Sequence, residues 1–492
     1  MTRREFIAAG AAFGSMGPGF AVSAGTAATG VPALRLGVLS DVHFLADPKP
    51  WRLRADWDEG PLVHALRYFR DRKVDAVVIA GDLADSGYVF ELEAVAKAWW
   101  SVFPGDKAPD GRRVERLFVY GNHDIEGHLY GGEDRLKKAC PDEAEYKPML
   151  IATDRAAAWQ KAFHEPFELI WKKTVKGFLF IGAHWIDANG IYTLPEFYRR
   201  ESASFPKDRP FFYIQHAHLR DTCYGDWAWG HDNGKSTQLF SAHPNLVTIS
   251  GHSHYSLTDD RSVWQGAFTS FGASSLRYSG QPYNEFADGF ENTVSEGRLR
   301  AREIDAAKMM PVFYGYGIRQ GMVMSVYDDR IVAERRDFVG DQPLGPDWVV
   351  PLPAKRDGSF SLAGRRAAAS APQFPAGAEI KVVRCVRETR GKVAKPSVAI
   401  QFPPANAGTS RVYHYEVAVI GPGGDELSFK RVLSPGWSAG KGSERYLKPC
   451  PCVFAEDELP RGDFVFEVRP IGWLGTKGRP LNLKVTSKKG QT

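Results

Sequence analysis

Five short apolar runs, each closed by a cluster of aspartate, histidine or asparagine, constrain this chain more than any other feature. Leu36 to Ser40 runs into Asp41-Val42-His43, and Ala76 to Ala80 into Gly81-Asp82-Leu83-Ala84-Asp85. Leu117 to Tyr120 runs into Gly121-Asn122-His123-Asp124, Phe211 to Gln215 into His216, and Leu246 to Ser250 into Gly251-His252-Ser253-His254. Such runs are too short for helices and rich in β-formers, so they read as buried strands. Between the first two strands, residues 60–71 carry apolar side chains at helical spacing, as residues 91–98 do further on, which is the alternation of a βαβ architecture. Ligand sites in open α/β sheets form beyond the carboxyl ends of the strands, so the five clusters are expected to converge in space. One strand-end His or Asp is ordinarily a turn former. Five clusters in one domain point to a common centre, and strand alternation would place both members of an Asp-x-His or His-x-His on one side.

A carboxylate between two cations can bridge them, the natural task for Asp82. Two divalent ions about 3.5–4 Å apart clamp a phosphoryl group and generate hydroxide at neutral pH. The ordered motifs DxH, GDxxD, GNHD, H and GHxH, spread over about residues 34–340, resemble those of the calcineurin-like metallophosphoesterase superfamily. The resemblance implies an α/β fold, a sandwich of two mixed β-sheets flanked by helices, with a two-metal centre at its edge. It implies that Asp41, His43, Asp82 and His254 hold one metal and Asp82, Asn122, His216 and His252 the other. Both ions would be divalent or of mixed valence, from Mn, Fe or Zn. His123 would contact the phosphate and protonate the leaving oxygen, and Asp85 would orient His123. The expected activity is hydrolysis of phosphodiesters or phosphomonoesters by a metal-bridging hydroxide, diesters favoured, on a small phosphate ester or a lipid head group. The alternative is a catalytically silent protein that binds a surface or partner through its C-terminal domain.

Some residues near the motifs read more plainly. Asp124 is expected to bind local backbone N–H groups, and His218 is a second candidate beside His216. His128 and His184 are either substrate contacts or ordinary loop and core histidines. GNHD, followed by Ile125-Glu126-Gly127-His128, departs from the GNHE of protein serine/threonine phosphatases and looks closer to bacterial phosphodiesterases and broad-specificity phosphatases. The long segments 126–150 and 219–243, the second with Tyr224, Trp227 and Trp229, are expected to shape substrate selection.

Outside the motifs, residues 1–28 carry Arg3 and Arg4, a Gly/Ala-rich stretch and small residues near Ala24 and Ala28, the layout of an export signal of twin-arginine type. The protein is therefore expected in the bacterial periplasm or outside the cell. No later apolar run approaches the roughly 20 residues of a membrane span, so the mature protein is expected to have none. A net charge of +5, with the charges interspersed, gives no basic stripe for a nucleic acid. The motif-bearing domain should cover residues 33–345. A Pro-, Ala- and Ser-rich linker is expected over 346–372, and a fibronectin type III-like β-sandwich of about seven strands over 373–488. Cys385 is expected to form a disulfide with Cys450 or Cys452.

Overall fold

The computed structural model describes residues 30–45, 60–186, 193–225, 230–278, 290, 319–387, 395–438 and 449–486. The export signal and the aromatics Trp227 and Trp229 lie outside the described residues. The first sheet begins with β1 (Leu34–Leu39), β2 (Ala76–Ala80) and β3 (Glu115–Val119), all parallel. Helix α1 (Pro61–Asp71) crosses from β1 to β2. Pro61 suits its first turn, where the missing N–H would have no partner, and Leu62, Ala65, Leu66 and Phe69 form its buried stripe. Helix α2 (Val89–Val102) follows β2 and packs beside α1 in the same core. Every residue of β2 is buried, as expected of a central strand covered on both faces.

The second sheet is built from β4 (Ile170–Val175), β5 (Phe178–Ala183), β6 (Phe211–Ile214), β7 (Leu246–Ser250), β8 (Val263–Gln265) and β9 (Thr269–Gly272), ordered β4-β5-β6-β7-β9-β8. Its centre is parallel and both edges antiparallel. The chain then returns to the first sheet with β10 (Gln320–Val326) and β11 (Arg330–Asp337), an antiparallel hairpin beside β1, joined by β12 (Gln342–Pro343) and β13 (Trp348–Pro351). Leu36, Val38, Val78 and Leu117 from one sheet share a core with Phe180, Phe212, Val247 and Ile249 from the other. Two mixed sheets therefore pack face to face, with helices on the outer faces, as the sequence led us to expect. Each fully buried aliphatic in that seam contributes roughly 1.5–3 kcal/mol.

The segment 346–372 is not simply a connection. Its first part is β13, paired with β11, and Leu362–Ala368 is a helix capped by Ser361. Trp348, inside a stretch otherwise composed like a linker, is 2% exposed, and its burial explains the pairing. The C-terminal region holds β14 (Lys381–Arg387), β15 (Lys395–Phe402), β16 (Val412–Ile420), β17 (Glu426–Leu433), β18 (Cys450–Ala455), β19 (Phe464–Gly472) and β20 (Leu481–Val485). They form two all-antiparallel sheets, β14-β15-β18 and β17-β16-β19-β20, around one core. The expected disulfide between Cys385 and Cys450 or Cys452 is absent. β15 lies hydrogen-bonded between Cys385 on β14 and the cysteines of β18, and two strand spacings of about 4.8 Å exceed the reach of a disulfide.

The C-terminal sheets dock on the sandwich through buried polar contacts. The Arg261 guanidinium pairs with Asp259 at 2.9 Å and lies 5.4 and 5.1 Å from the ring centres of Tyr413 and Trp473. Thr258 Oγ1 donates to the Trp437 carbonyl, and Gln320 Nε2 donates to that of Ser438 at 2.9 Å.

Candidate metal centre

The strand-end clusters do converge, but by a different local route from strand alternation. β1 ends at Leu39, and Asp41 and His43 both have left-handed backbones, with φ of 51° and 46°. Asp82, His252 and His254 do too, at 52°, 70° and 56°. Such conformations cost non-glycine residues of order 1 kcal/mol or more and gather at functional sites. Here they turn successive side chains toward one point. The motif glycines make room: a Cβ on Gly81, itself at φ +98°, would stand 2.2 Å from His216 Nδ1, and one on Gly121 would stand 2.2 Å from Asp82 Oδ1.

Asp41, His43, Asp82 and His254 form one cluster of potential metal ligands, and Asp82, His216 and His252 form a second. Asp82 is common to both. Its Oδ1 accepts from the His123 backbone N–H at 2.8 Å, while Oδ2 stands 3.5 Å from His43 Nε2 and 3.2 Å from His216 Nε2. Asn122 Oδ1 reaches His216 Nε2 at 3.0 Å and so joins the second cluster.

The donor set fits a cation. His43 Nδ1 donates to Asp85 Oδ1 at 3.1 Å, and His254 Nδ1 to the Tyr278 carbonyl at 3.0 Å, so in the neutral rings each Nε2 is a lone pair. Those two Nε2 atoms face each other at 3.0 Å, with Asp41 Oδ1 2.9 Å from that of His254. Burial, followed by the neighbouring His123, holds His43 down to about 4, so protonation does not relieve the crowding there at neutral pH. Burial likewise opposes a charge on His216, yet Asp82 and then Asp41 lift it to about 9: the centre demands positive charge. His216 Nδ1 donates to the Ala80 carbonyl at 2.7 Å. Histidines held at one nitrogen by a carboxylate or carbonyl and turned inward at the other are the usual arrangement of metal ligands.

Asp85 groups with both His43 and His123, and reaches the two through different atoms. Its carboxylate serves His43, whereas its backbone carbonyl takes the His123 Nδ1 proton at 2.7 Å. His123 is thus oriented at Nδ1 by main chain. Asp124 accepts from the backbone N–H groups of Gly121, Leu83 and Ala84, stapling two of the loops together. His218 is tied to Ser250 and Ser253 by both ring nitrogens, and His184 accepts from the Tyr120 N–H, so both are structural. His128 belongs to none of the clusters among the described residues.

Several neighbours were not singled out from sequence. Trp185, the residue after His184, lies 5.5 Å from the His252 ring, and Tyr130 lies 4.9 Å from that of His123. The Tyr278 ring lies 4.2 Å from that of His254, tilted by 40°, and Arg277 donates to the His43 carbonyl at 2.6 Å. Tyr130 falls in a segment already marked for substrate selection, and Trp185 just past a strand end. Either position was a usable signal.

A sandwich of mixed sheets with convergent Asp, His and Asn side chains beyond its strand ends defines a metal-dependent phosphoester hydrolase. Residues 34–256 match the model of the calcineurin-like phosphoesterase family. Similar solved structures include a dimetal phosphatase from Danio rerio, at 12% identity and TM-score 0.37, covering 65% of this chain and 99% of that one. A purple acid phosphatase from yellow lupin (Lupinus luteus) seeds matches at 12% identity and TM-score 0.38, over 65% and 55% of the two chains. A conserved uncharacterized protein, a predicted phosphoesterase, from Streptococcus pneumoniae matches at 13% and 0.26, over 65% and 97%. No curated protein matches the chain.

Proposed function

We propose that this chain hydrolyses phosphoesters at a two-cation site, with phosphodiesters favoured over monoesters. Asp41, His43, Asp82 and His254 would hold one ion and Asp82, Asn122, His216 and His252 the other, with Asp82 shared. The observation that carries this is the crowd of inward-facing acceptors, above all the His43 and His254 Nε2 atoms 3.0 Å apart. Bound there, two cations supply Lewis acidity toward the phosphoryl group and a nucleophile at neutral pH. The protein does the remainder. Asn122 contributes an uncharged oxygen, and His123, fixed at Nδ1 by the Asp85 carbonyl, presents Nε2 to hand a proton to the departing ester oxygen. Tyr130, 53% exposed with its ring 4.9 Å from that of His123, gives an ester's organic groups a surface beside His123, which supports the diester preference.

The test is hydrolysis of a nitrophenyl phosphodiester beside the matching monoester, with protein loaded in turn with Mn, Fe and Zn. Faster diester turnover supports the preference; faster monoester turnover reverses it, and no turnover with any metal removes the assignment. Asp82→Ala is expected to lose both ions and His123→Ala to keep them while turning over slowly. Two ions retained by Asp82→Ala would end the bridging role.

The arginine pair near the N-terminus supports export of the twin-arginine type, and fractionation of cells making an Arg3→Lys, Arg4→Lys variant checks it. The two antiparallel C-terminal sheets support a fibronectin type III-like reading of that region, and with it a surface or protein partner.

A further inference from the structure

We infer that Tyr130, Glu126 and Trp185 form a hydrogen-bonded belt of positioning residues that fixes which end of the Asn122 amide faces the metal centre. The inference rests on the two-cation reading above. Glu126 sits at the middle of the belt. Its Oε1 accepts from Trp185 Nε1 at 2.9 Å and its Oε2 from the Tyr130 hydroxyl at 3.0 Å. A carboxylate only accepts, so it commits the Tyr130 proton. The Tyr130 oxygen then has lone pairs alone to offer Asn122, and it receives Asn122 Nδ2 at 3.3 Å. The other end of the amide, Oδ1, is thereby turned inward, 3.0 Å from His216 Nε2.

Direction matters because the two ends of the amide are not equivalent. Oδ1 can ligate a cation, whereas an inward-turned NH2 group would offer protons to it. The same carboxylate sets the Trp185 ring, which lies 5.5 Å from His252 and 5.9 Å from His216. One half-buried carboxylate thus steadies three members of the second ligand set and touches none of them directly among the hydrogen bonds described. The first set, on the His43 and His254 side, is held by Asp85 and Tyr278 instead.

The sharpest variant is Glu126→Gln. The introduced amide can still accept from Trp185, but its NH2 donates to Tyr130, whose own proton must then point at Asn122. That reverses the chain of donors and favours the wrong end of the Asn122 amide. Tyr130→Phe merely removes the hydroxyl, so the double variant should lose the reversal and behave like Tyr130→Phe alone.

The measurement is calorimetric titration of metal-free protein with Mn2+, followed by electron paramagnetic resonance to tell a coupled pair of ions from a single one. Glu126→Gln is expected to weaken the second ion by about tenfold or more, leaving the first unchanged, with the uncoupled spectrum persisting to higher Mn2+. Tyr130→Phe should lose less, and combining the two should restore affinity relative to Glu126→Gln. Because Tyr130 is 53% exposed, the metal-free melting temperature should hardly move, which separates positioning from a general structural role. Wild-type-like binding of both ions by Glu126→Gln, or additive losses in the double variant, would overturn the belt alone. Uptake of fewer than two ions by the wild-type protein would overturn the two-cation reading and the belt with it.

Discussion

His43 shows how a single residue is committed from both sides. One ring nitrogen donates to Asp85 and the other faces His254 and Asp82, so its tautomer is decided by Asp85. Asp85→Asn can present an NH2 group to that nitrogen, and the affinity of the first ion is expected to fall about 10–100-fold. Saturating Mn should restore most turnover, because His123 keeps its backbone carbonyl. A kcat that stays low at saturating metal would return Asp85 to the part the motif implied for it. Residue types and strand-end positions were legible in the sequence, and the structure brings the nine named residues together. What each carboxylate touches was not, since motif spacing does not distinguish a carboxylate from the carbonyl of the same residue.

His184 makes a second residue-scale case. Burial holds it down to about 3, followed by the neighbouring Lys173 and Arg155. Its folded pKa lies below the unfolded value of about 6.5, so the unfolded chain binds the extra proton as the pH falls. Stability is therefore full above pH ~6.5 and is lost below it, at up to ~1.4 kcal/mol per pH unit for this group, until about 3. Melting temperatures of wild type and His184→Gln at pH 7.5 and 5 check this. The variant should start lower and fall less, and parallel slopes would exclude His184 as a source of acid sensitivity.

At the scale of elements, the chemistry sits where strands give way to left-handed turns. The strands were readable because short β-rich runs have few alternatives. The turns were not, because Asp and His, though enriched at φ > 0 among non-glycine residues, adopt it in only a small minority of positions. Residues 346–372 show the opposite failure: composition suggested a connection, while Trp348 and its pairing with β11 make part of it a sheet edge. Gly121→Ala probes the loop that packs against the left-handed Asp82. Its new methyl would meet Asp82 Oδ1 at 2.2 Å and the Asp82 nitrogen at 2.5 Å, so Asp82 must move. Mn uptake is expected to suffer far more than the metal-free melting temperature, and wild-type uptake would show that the loop yields without cost.

On the scale of the whole molecule, the sandwich and the C-terminal sheets are joined by groups that have left water. Asp259 is fully buried and Arg261 is 3% exposed, capped by Tyr413 and Trp473. Breaking a buried pair on one side costs about 3–5 kcal/mol. Calorimetry of the wild type should therefore show one cooperative transition. Arg261→Ala should lower it markedly or split it in two, and two separate wild-type transitions would mean the units melt independently.

The same architecture sets a timetable. His43 and His254 meet across 211 positions of sequence, so the chain must close a very long loop before both can grip one ion. A nascent or half-assembled chain presents only scattered fragments of the centre. Tight metal uptake is consequently expected late in folding, and metal supplied early in refolding should bind no sooner than metal supplied at the end.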